Sequence, residues 1–290
     1  MMIQIIKKLP LIIILLMTSS CEGVFIADTP SYINLTSFTY NGDNISEPPH
    51  PNEYNSTNIT DSWISMDGEI IGVFEIPATI PILSDGIHSF DIYPGIKVNG
   101  ISGNRTKYPF YTKFETELEL ERDMIISITP TTTYSPETLF YFEEQGKFEM
   151  LGTMFEKSTL SDTNAIIQND VVFQGSHSLA IFLDSMNNYF DIRNINELEL
   201  PNNTFLELNF KSNIDFNIGV IIINTGSIDQ KEELIQLYAS TEWKKIYLEL
   251  APLLNMGNSN SKFKIYIDGN YNNNYIFNSI YIDNFKLVYN

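Results

Sequence analysis

The sequence predicts an all-β chain folded as two β-sandwich domains, and three observations carry that expectation. Apolar and polar residues alternate with period two through most of the chain. The alternating runs are cut at short intervals by Gly, Pro, Asn and Asp, the residues of turns. No long stretch keeps the 3.6-residue period of an amphipathic helix. With 290 residues, 43% of them hydrophobic and 13% aromatic, there is apolar side chain enough for two cores.

The N-terminus precedes this pattern. Lys7 and Lys8, the apolar run Leu9 to Met17, and the small residues Thr18, Ser19 and Ser20 read as a secretory signal over residues 1–20. The run is far shorter than the roughly 20 residues of a membrane-spanning helix. Cys21 is the only cysteine in the chain, so no disulfide within the chain explains it. It stands where a bacterial lipoprotein signal places the residue that is lipidated after cleavage. Ser20 fits that signal, while Thr18 occupies a position that usually holds Leu. The resemblance implies acylation of Cys21 and a tether over residues 21–31, each buried methylene of the lipid contributing about 0.8 kcal/mol. Ordinary cleavage that leaves an incidental thiol is the alternative.

The first domain is expected over residues 32–130. Asp67-Gly68 lies between Trp63 to Met66 and Ile70 to Phe74, the strongest hairpin signal in the chain, and Asp85-Gly86 turns into a strand carrying His88, Phe90 and Ile92. Phe114, Thr116, Leu118 and Leu120 alternate with Glu115, Glu117, Glu119 and Glu121, one face to pack and one to stay wet. Gly42 to Asp61, with Pro48, Pro49 and Pro51, reads as a surface loop. The Thr/Pro run at 131–136 marks a linker.

The second domain is expected over residues 137–290. Its strands are Leu139 to Phe142, Ser178 to Leu183, Phe205 to Phe210, Phe216 to Ile223, Trp243 to Leu250, Phe263 to Ile267 and Ile280 to Tyr289. In the Trp243 strand, Ile246, Leu248 and Leu250 point one way and Lys245, Tyr247 and Glu249 the other, with Trp243 read as a core residue. Glu232 to Tyr238 reads ambiguously, as one helical turn or two. Asn272-Asn273-Asn274 reads as a loop tip.

Two blocks resemble known sequence types. Trp63 to Pro77, followed by Asp85-Gly86-Ile87-His88 and Tyr93-Pro94-Gly95, resembles the small Ig-like or PEGA-like β-domains of envelope proteins, which act as spacers. Phe140 to Glu144, Gly175-Ser176-His177-Ser178-Leu179, Trp243-Lys244-Lys245 and Ile282-Asp283-Asn284 resemble, in order, strands of carbohydrate-binding and galactose-binding-like jelly rolls. With its signal, the whole chain resembles lipoproteins of the Bacteroidota cell envelope. That resemblance implies a cell-envelope protein, on the outer membrane, that carries no catalytic activity.

The chemistry-bearing residues are sparse. Seventeen Lys and Arg against 36 Asp and Glu, a net charge of -19, argue against nucleic acid, whose binding draws on clustered cations. Glu143 and Glu144 are adjacent, so on a strand their side chains face opposite ways and cannot flank one glycosidic bond. His50, His88 and His177 are isolated, and no Gly-x-Ser-x-Gly elbow occurs, though a Ser-His-Asp set could still assemble from distant positions. The jelly-roll resemblance implies a structural Ca²⁺ held by Glu143 or Glu144 and Asp283. The alternative leaves Asp283 to accept backbone hydrogen bonds, with no cofactor required. Sugar binding needs rings beside hydrogen-bonding side chains, and Tyr271, Asn273 and Tyr275 supply both. The expectation is a non-catalytic surface lipoprotein, held to the membrane by its lipid, that binds a glycan or an envelope protein through its second domain. A structural component without a ligand, and a polysaccharide hydrolase, are the alternatives.

Overall fold

The computed structural model describes residues 28–41, 56–150 and 152–290. The expected signal, Cys21 with its lipid, His50 and the prolines of the Gly42 to Asp61 loop lie outside the described residues.

Period-two alternation builds the first domain from β1 (Ser31–Leu35), β2 (Thr39–Tyr40), β3 (Asp61–Met66), β4 (Glu69–Glu75), β5 (Ala78–Ile82), β6 (Gly86–Lys97), β7 (Arg105–Lys107), β8 (Phe114–Leu120), β9 (Ile125–Ile128) and β10 (Thr131–Thr132). One sheet runs β4-β3-β6, with β7 and β8 both on β6; the other runs β5-β1-β9. Ile33, Leu35 and Ile80 of the second sheet bury against Ile64, Phe90, Ile92 and Leu120 of the first. Asp67 and Gly68 take φ of 52° and 83°, the two positive values that a two-residue hairpin turn needs, and Met66 sits opposite Glu69. In β8 the glutamates are exposed and the alternate residues turn inward, as their spacing requires.

The second domain comprises β11 (Leu139–Tyr141), β12 (Phe155–Lys157), β13 (Ala165–Gln168), β14 (Ser178–Leu183), β15 (Tyr189–Asn194), β16 (Phe205–Ser212), β17 (Phe216–Ile223), β18 (Gln230–Leu237), β19 (Ser240–Glu249), β20 (Lys262–Asn270) and β21 (Asn278–Tyr289). Sheet order is β13-β14-β21-β16-β19, with β11 on β21, in one layer and β12-β15-β20-β17-β18 in the other. Every connection from β11 to β21 crosses between the layers except β13 to β14 and β17 to β18, which is jelly-roll winding. Leu179, Ile181, Leu206, Leu208 and Ile282 of the first layer meet Phe190, Ile192, Ile218, Val220, Ile265 and Ile267 of the second in one core.

Residues 230–237 form an edge strand rather than helical turns, because β17 supplies their backbone partners. A bulge opposite Ile218 and Gly219 slips the alternation by one, which is why the sequence pattern there reads ambiguously. Residues 131–136, read as a linker, are packed: Thr131 and Thr132 pair with β2, and Tyr134 is buried.

That tyrosine belongs to a third core, which joins the domains. Tyr108, Phe110, Tyr111 and Tyr134 of the first domain pack on Phe205, Tyr247 and Val288, the outward face of β16, β19 and β21. Their rings meet edge to face or tilted, with centroids 4.7 Å apart for Tyr108 and Tyr111 and 4.8 Å for Tyr108 and Tyr247. Val98 bridges to Tyr247, and the Asn99 N–H donates to the Tyr247 carbonyl at 2.8 Å, so the β6–β7 loop covers the β19 edge. Gly100 turns that loop back with φ of 68° and leaves room for Ile246, which a Cβ would approach to 3.3 Å.

Candidate functional site

With the outward face of the first layer covered, the second layer keeps an uncovered one. In β15, Phe190 and Ile192 enter the core, so Tyr189, Asp191 and Arg193 face outward. In β20, Ile265 and Ile267 point in and Lys264, Tyr266 and Asp268 out. Strand register aligns these into rows: Asp191 beside Asp268 beside Asn217, and Arg193 beside Tyr266 beside Gly219. Gly219 is required here, because the Tyr266 ring lies over it and a Cβ would come within 2.6 Å of that ring and 2.2 Å of the Glu232 carbonyl.

Lys231 on β18 crosses this ring, its Nζ 4.2 Å from the centroid, to reach Asp191 Oδ2 at 2.9 Å and Asp268 Oδ2 at 2.6 Å. Partial burial works against its charge, but hydrogen bonds to Asp268 and Asp191 prevail and hold the ammonium above its ordinary range. Asn217 donates to Asp268 Oδ1 at 3.1 Å. Burial, and then the Asp268 charge, raise the Tyr266 and Tyr189 hydroxyls, so both stay protonated at neutral pH. Three polar atoms here are buried with no hydrogen-bond partner among the described residues: Asp191 Oδ1, Arg193 Nε and Asn217 Oδ1. Around these buried atoms the face sets two carboxylates, an ammonium and a guanidinium, with the Tyr189 ring half-buried beside them. Such a set is suited to a polyhydroxylated ligand.

The residues singled out from the sequence lie elsewhere. Tyr271 is half-buried on the core and donates its hydroxyl to the Tyr275 carbonyl at 2.7 Å, closing its own loop. Asn278 clamps the same loop through Asn272 N–H and carbonyl, with Asn273 in the turn. Tyr275 is exposed at the tip, between the exposed Asn273 and Asn274 on one side and Ile276 (82% exposed) and Phe277 (69%) on the other. Of the expected set, Tyr275 and Asn273 are exposed and Tyr271 is turned to its own loop.

The expected calcium set is not assembled either. Glu144 is exposed and pairs with Lys147 at 2.7 Å, and Glu143 is half-buried. Asp283 is fully buried; its Oδ2 accepts the N–H groups of Phe173 and Gln174 at 3.2 and 3.1 Å, and its Oδ1 that of Asn284 at 2.8 Å. Three backbone donors engage its two oxygens, and among the described residues no three His, Cys, Asp or Glu side chains converge as a metal site. The alternative reading of Asp283, as an acceptor of backbone hydrogen bonds, is the one observed.

A Ser-His-Asp set does assemble, from Ser84, His88 and Asp67. Ser84 Oγ lies 2.7 Å from His88 Nε2, and Asp67 Oδ2 lies 2.6 Å from Nδ1. Nε2 also faces the Asp85 carbonyl at 3.1 Å, an acceptor, and a proton on Nε2 would serve that carbonyl with Ser84 Oγ as an acceptor. These contacts staple the Asp67 turn to the Asp85 turn.

Trp243 is not a core residue. By parity it shares the outward face of Lys245 and Tyr247, and it pairs with Phe173 at 5.6 Å.

No family model matches the sequence, and no curated protein matches it. Solved structures do resemble it. A family 61 carbohydrate-binding module in complex with β-1,4-galactotriose is 17% identical with a TM-score of 0.31, over 50% of this chain and 91% of that one. The family 30 module of a cellulosomal cellulase of Clostridium thermocellum is 12% identical with a TM-score of 0.38, over 46% and 90%. A family 11 module of Clostridium thermocellum in complex with a β-1,3-1,4-mixed-linked tetrasaccharide is 14% identical with a TM-score of 0.35, over 52% and 94%. No residue role is carried over from these modules.

Proposed function

We propose that this protein is a non-catalytic glycan-binding lipoprotein of the cell envelope, held to the membrane by lipid on Cys21. It takes a sugar chain across the outer face of β15, β20, β17 and β18. The observation that carries this reading is a row of ring and polar side chains on an uncovered sheet face, the half-buried Tyr189 and Arg193 beside Asp268 and the Lys231 ammonium. Sugar hydroxyls both donate and accept, so they pair with the carboxylate, the guanidinium and the ammonium while a ring face lies on Tyr189. The test is a glycan array followed by calorimetry on the full chain. Binding that falls at least about tenfold in Arg193→Ala and in Asp191→Asn, with melting temperatures kept, supports the reading. A blank array, or binding indifferent to both changes, removes it.

A protein partner is a second reading, favoured by the apolar loop tip of Ile276 and Phe277. It is tested by whether Phe277→Ser abolishes capture of an envelope protein that the Arg193→Ala variant still retains.

A further inference from the structure

A second site lies at the domain junction, on the opposite layer from the sheet face. The loop after β6 and the start of β19 enclose a cleft of about 670 Å³, within the roughly 300–1,000 Å³ typical of small-molecule sites. Trp243 and Phe173 line it; their rings are tilted 57° to each other, Phe173 is 39% exposed, and Trp243 is half-exposed. An indole face of this kind stacks on the C–H face of a sugar ring.

The charge of the cleft opposes that of the chain. Acidic residues outnumber basic ones by 36 to 17 in the sequence, yet the described lining contains Lys97, Lys244 and Lys245 and no Asp or Glu. Lys245 is committed to Glu207 at 2.6 Å, and Lys97 to the exposed Glu75 at 3.0 Å. Lys244 is exposed and forms no ion pair or hydrogen bond among the described residues. Two amides stand beside it. Asn99 spends its Oδ1 on the Glu249 N–H at 2.9 Å and keeps its Nδ2, and Gln236 is exposed on the neighbouring strand.

We infer that this cleft binds an acidic oligosaccharide across the β19 edge, with one ring on Trp243 and the carboxylate of a neighbouring uronate on Lys244, since adjacent side chains of a strand leave it on opposite faces. A neutral sugar would use the ring and the amides but leave the lysine idle. The first domain supplies Lys97 and Asn99 and the second Trp243 and Lys244, so the site exists only because the aromatic seam fixes the two domains together. It stands apart from the sheet face, and neither depends on the other.

The experiment titrates the full chain, by Trp fluorescence and calorimetry, with oligomers of galacturonate, glucuronate and mannuronate and with their neutral parents of the same linkage. One acidic oligomer is expected to bind at least about tenfold tighter than its parent, and more weakly as salt rises. Trp243→Ala and Lys244→Gln each remove that advantage, Lys244→Arg keeps it, and Arg193→Ala on the sheet face leaves it unchanged. The inference is overturned if no acidic oligomer outbinds its parent, if Lys244→Gln has no effect, or if poly-glutamate displaces the sugar, which would make the ligand an acidic peptide. Loss of binding in Arg193→Ala alone would assign the sugar to the sheet face and overturn the cleft.

Discussion

Glu207 Oε1 accepts the hydroxyl of Tyr108 at 2.6 Å across the domain boundary, with both side chains buried. Tyr134 donates to the same oxygen at 2.7 Å, and Lys245 Nζ pairs with Oε2 at 2.6 Å. Burial by itself would raise the Glu207 carboxyl, but the charges of Lys245 and Lys286 and the bonds from Lys245 and Tyr108 outweigh it and hold the group below its usual range. The domains are therefore joined through a shared carboxylate inside an aromatic seam rather than by a flexible connection.

Breaking that arrangement strands a charge. Glu207→Ala leaves the Lys245 ammonium buried without a partner and is expected to cost about 3–5 kcal/mol. Tyr108→Phe is expected to cost about 1–3 kcal/mol, the range for removing one partner of a buried hydrogen bond. Urea denaturation measures both. Glu207→Ala should also split a single unfolding transition into two, one for each domain.

Gly219→Ala tests the ring packing on the sheet face. The new methyl would meet the Glu232 carbonyl and the Tyr266 ring at distances no side chain tolerates, so one of them must move. A loss of about 1–3 kcal/mol is expected, with a weakened Lys231 bridge to Asp191 and Asp268. An unchanged melting temperature would show that Tyr266 does not lie flat over this position.

Asp283 makes stability fall with rising pH. Burial, opposed by three backbone N–H groups and reinforced by the Glu149 charge, pushes its carboxyl up to about 7. Between the ordinary carboxylate range near pH 4 and pH 7, the folded chain holds a proton that the unfolded chain has released. The contribution is fully present below about pH 4 and is lost as pH rises through 7. In Asp283→Asn this part of the slope should vanish from a series of melting temperatures against pH.

His88 titrates in the same sense. The hydrogen bond to Asp67, and then that to the Asp85 carbonyl, hold its imidazolium above the ordinary range. Its contribution is present below the unfolded imidazole value and is lost as pH rises through the folded one. NMR titration should give a raised value for His88, and Asp67→Asn should bring it down. Acylation of Ser84 by a fluorophosphonate would contradict the stapling role.

Legibility differs from element to element. β8 was plain, since four apolar-side residues alternate with glutamates and only one face can bury. Trp243 was legible but missed: counting back by twos from Tyr247 puts it on the outward face. Residues 230–237 were not, because the bulge breaks the period. The sheet-face residues sat in alternating runs, Tyr189-Phe190-Asp191-Ile192-Arg193 and Tyr266-Ile267-Asp268. What no run of sequence contains is that Asp191 and Asp268 are neighbours, since that follows from a pairing across more than 70 residues of chain.

By itself the sequence determined the all-β class, the hairpin at Asp67-Gly68 and the side of each regular strand that packs, because these follow from backbone sterics and burial within a few residues. The tertiary structure alone decided that the outward face of β16 and β19 is buried under the first domain, that Asp191, Arg193 and Asn217 share an uncovered face, and that lysines gather at the junction of a strongly acidic chain. Those depend on register and docking between distant segments, where the free energy of a contact is set by its partner and not by the residue's own neighbours in sequence.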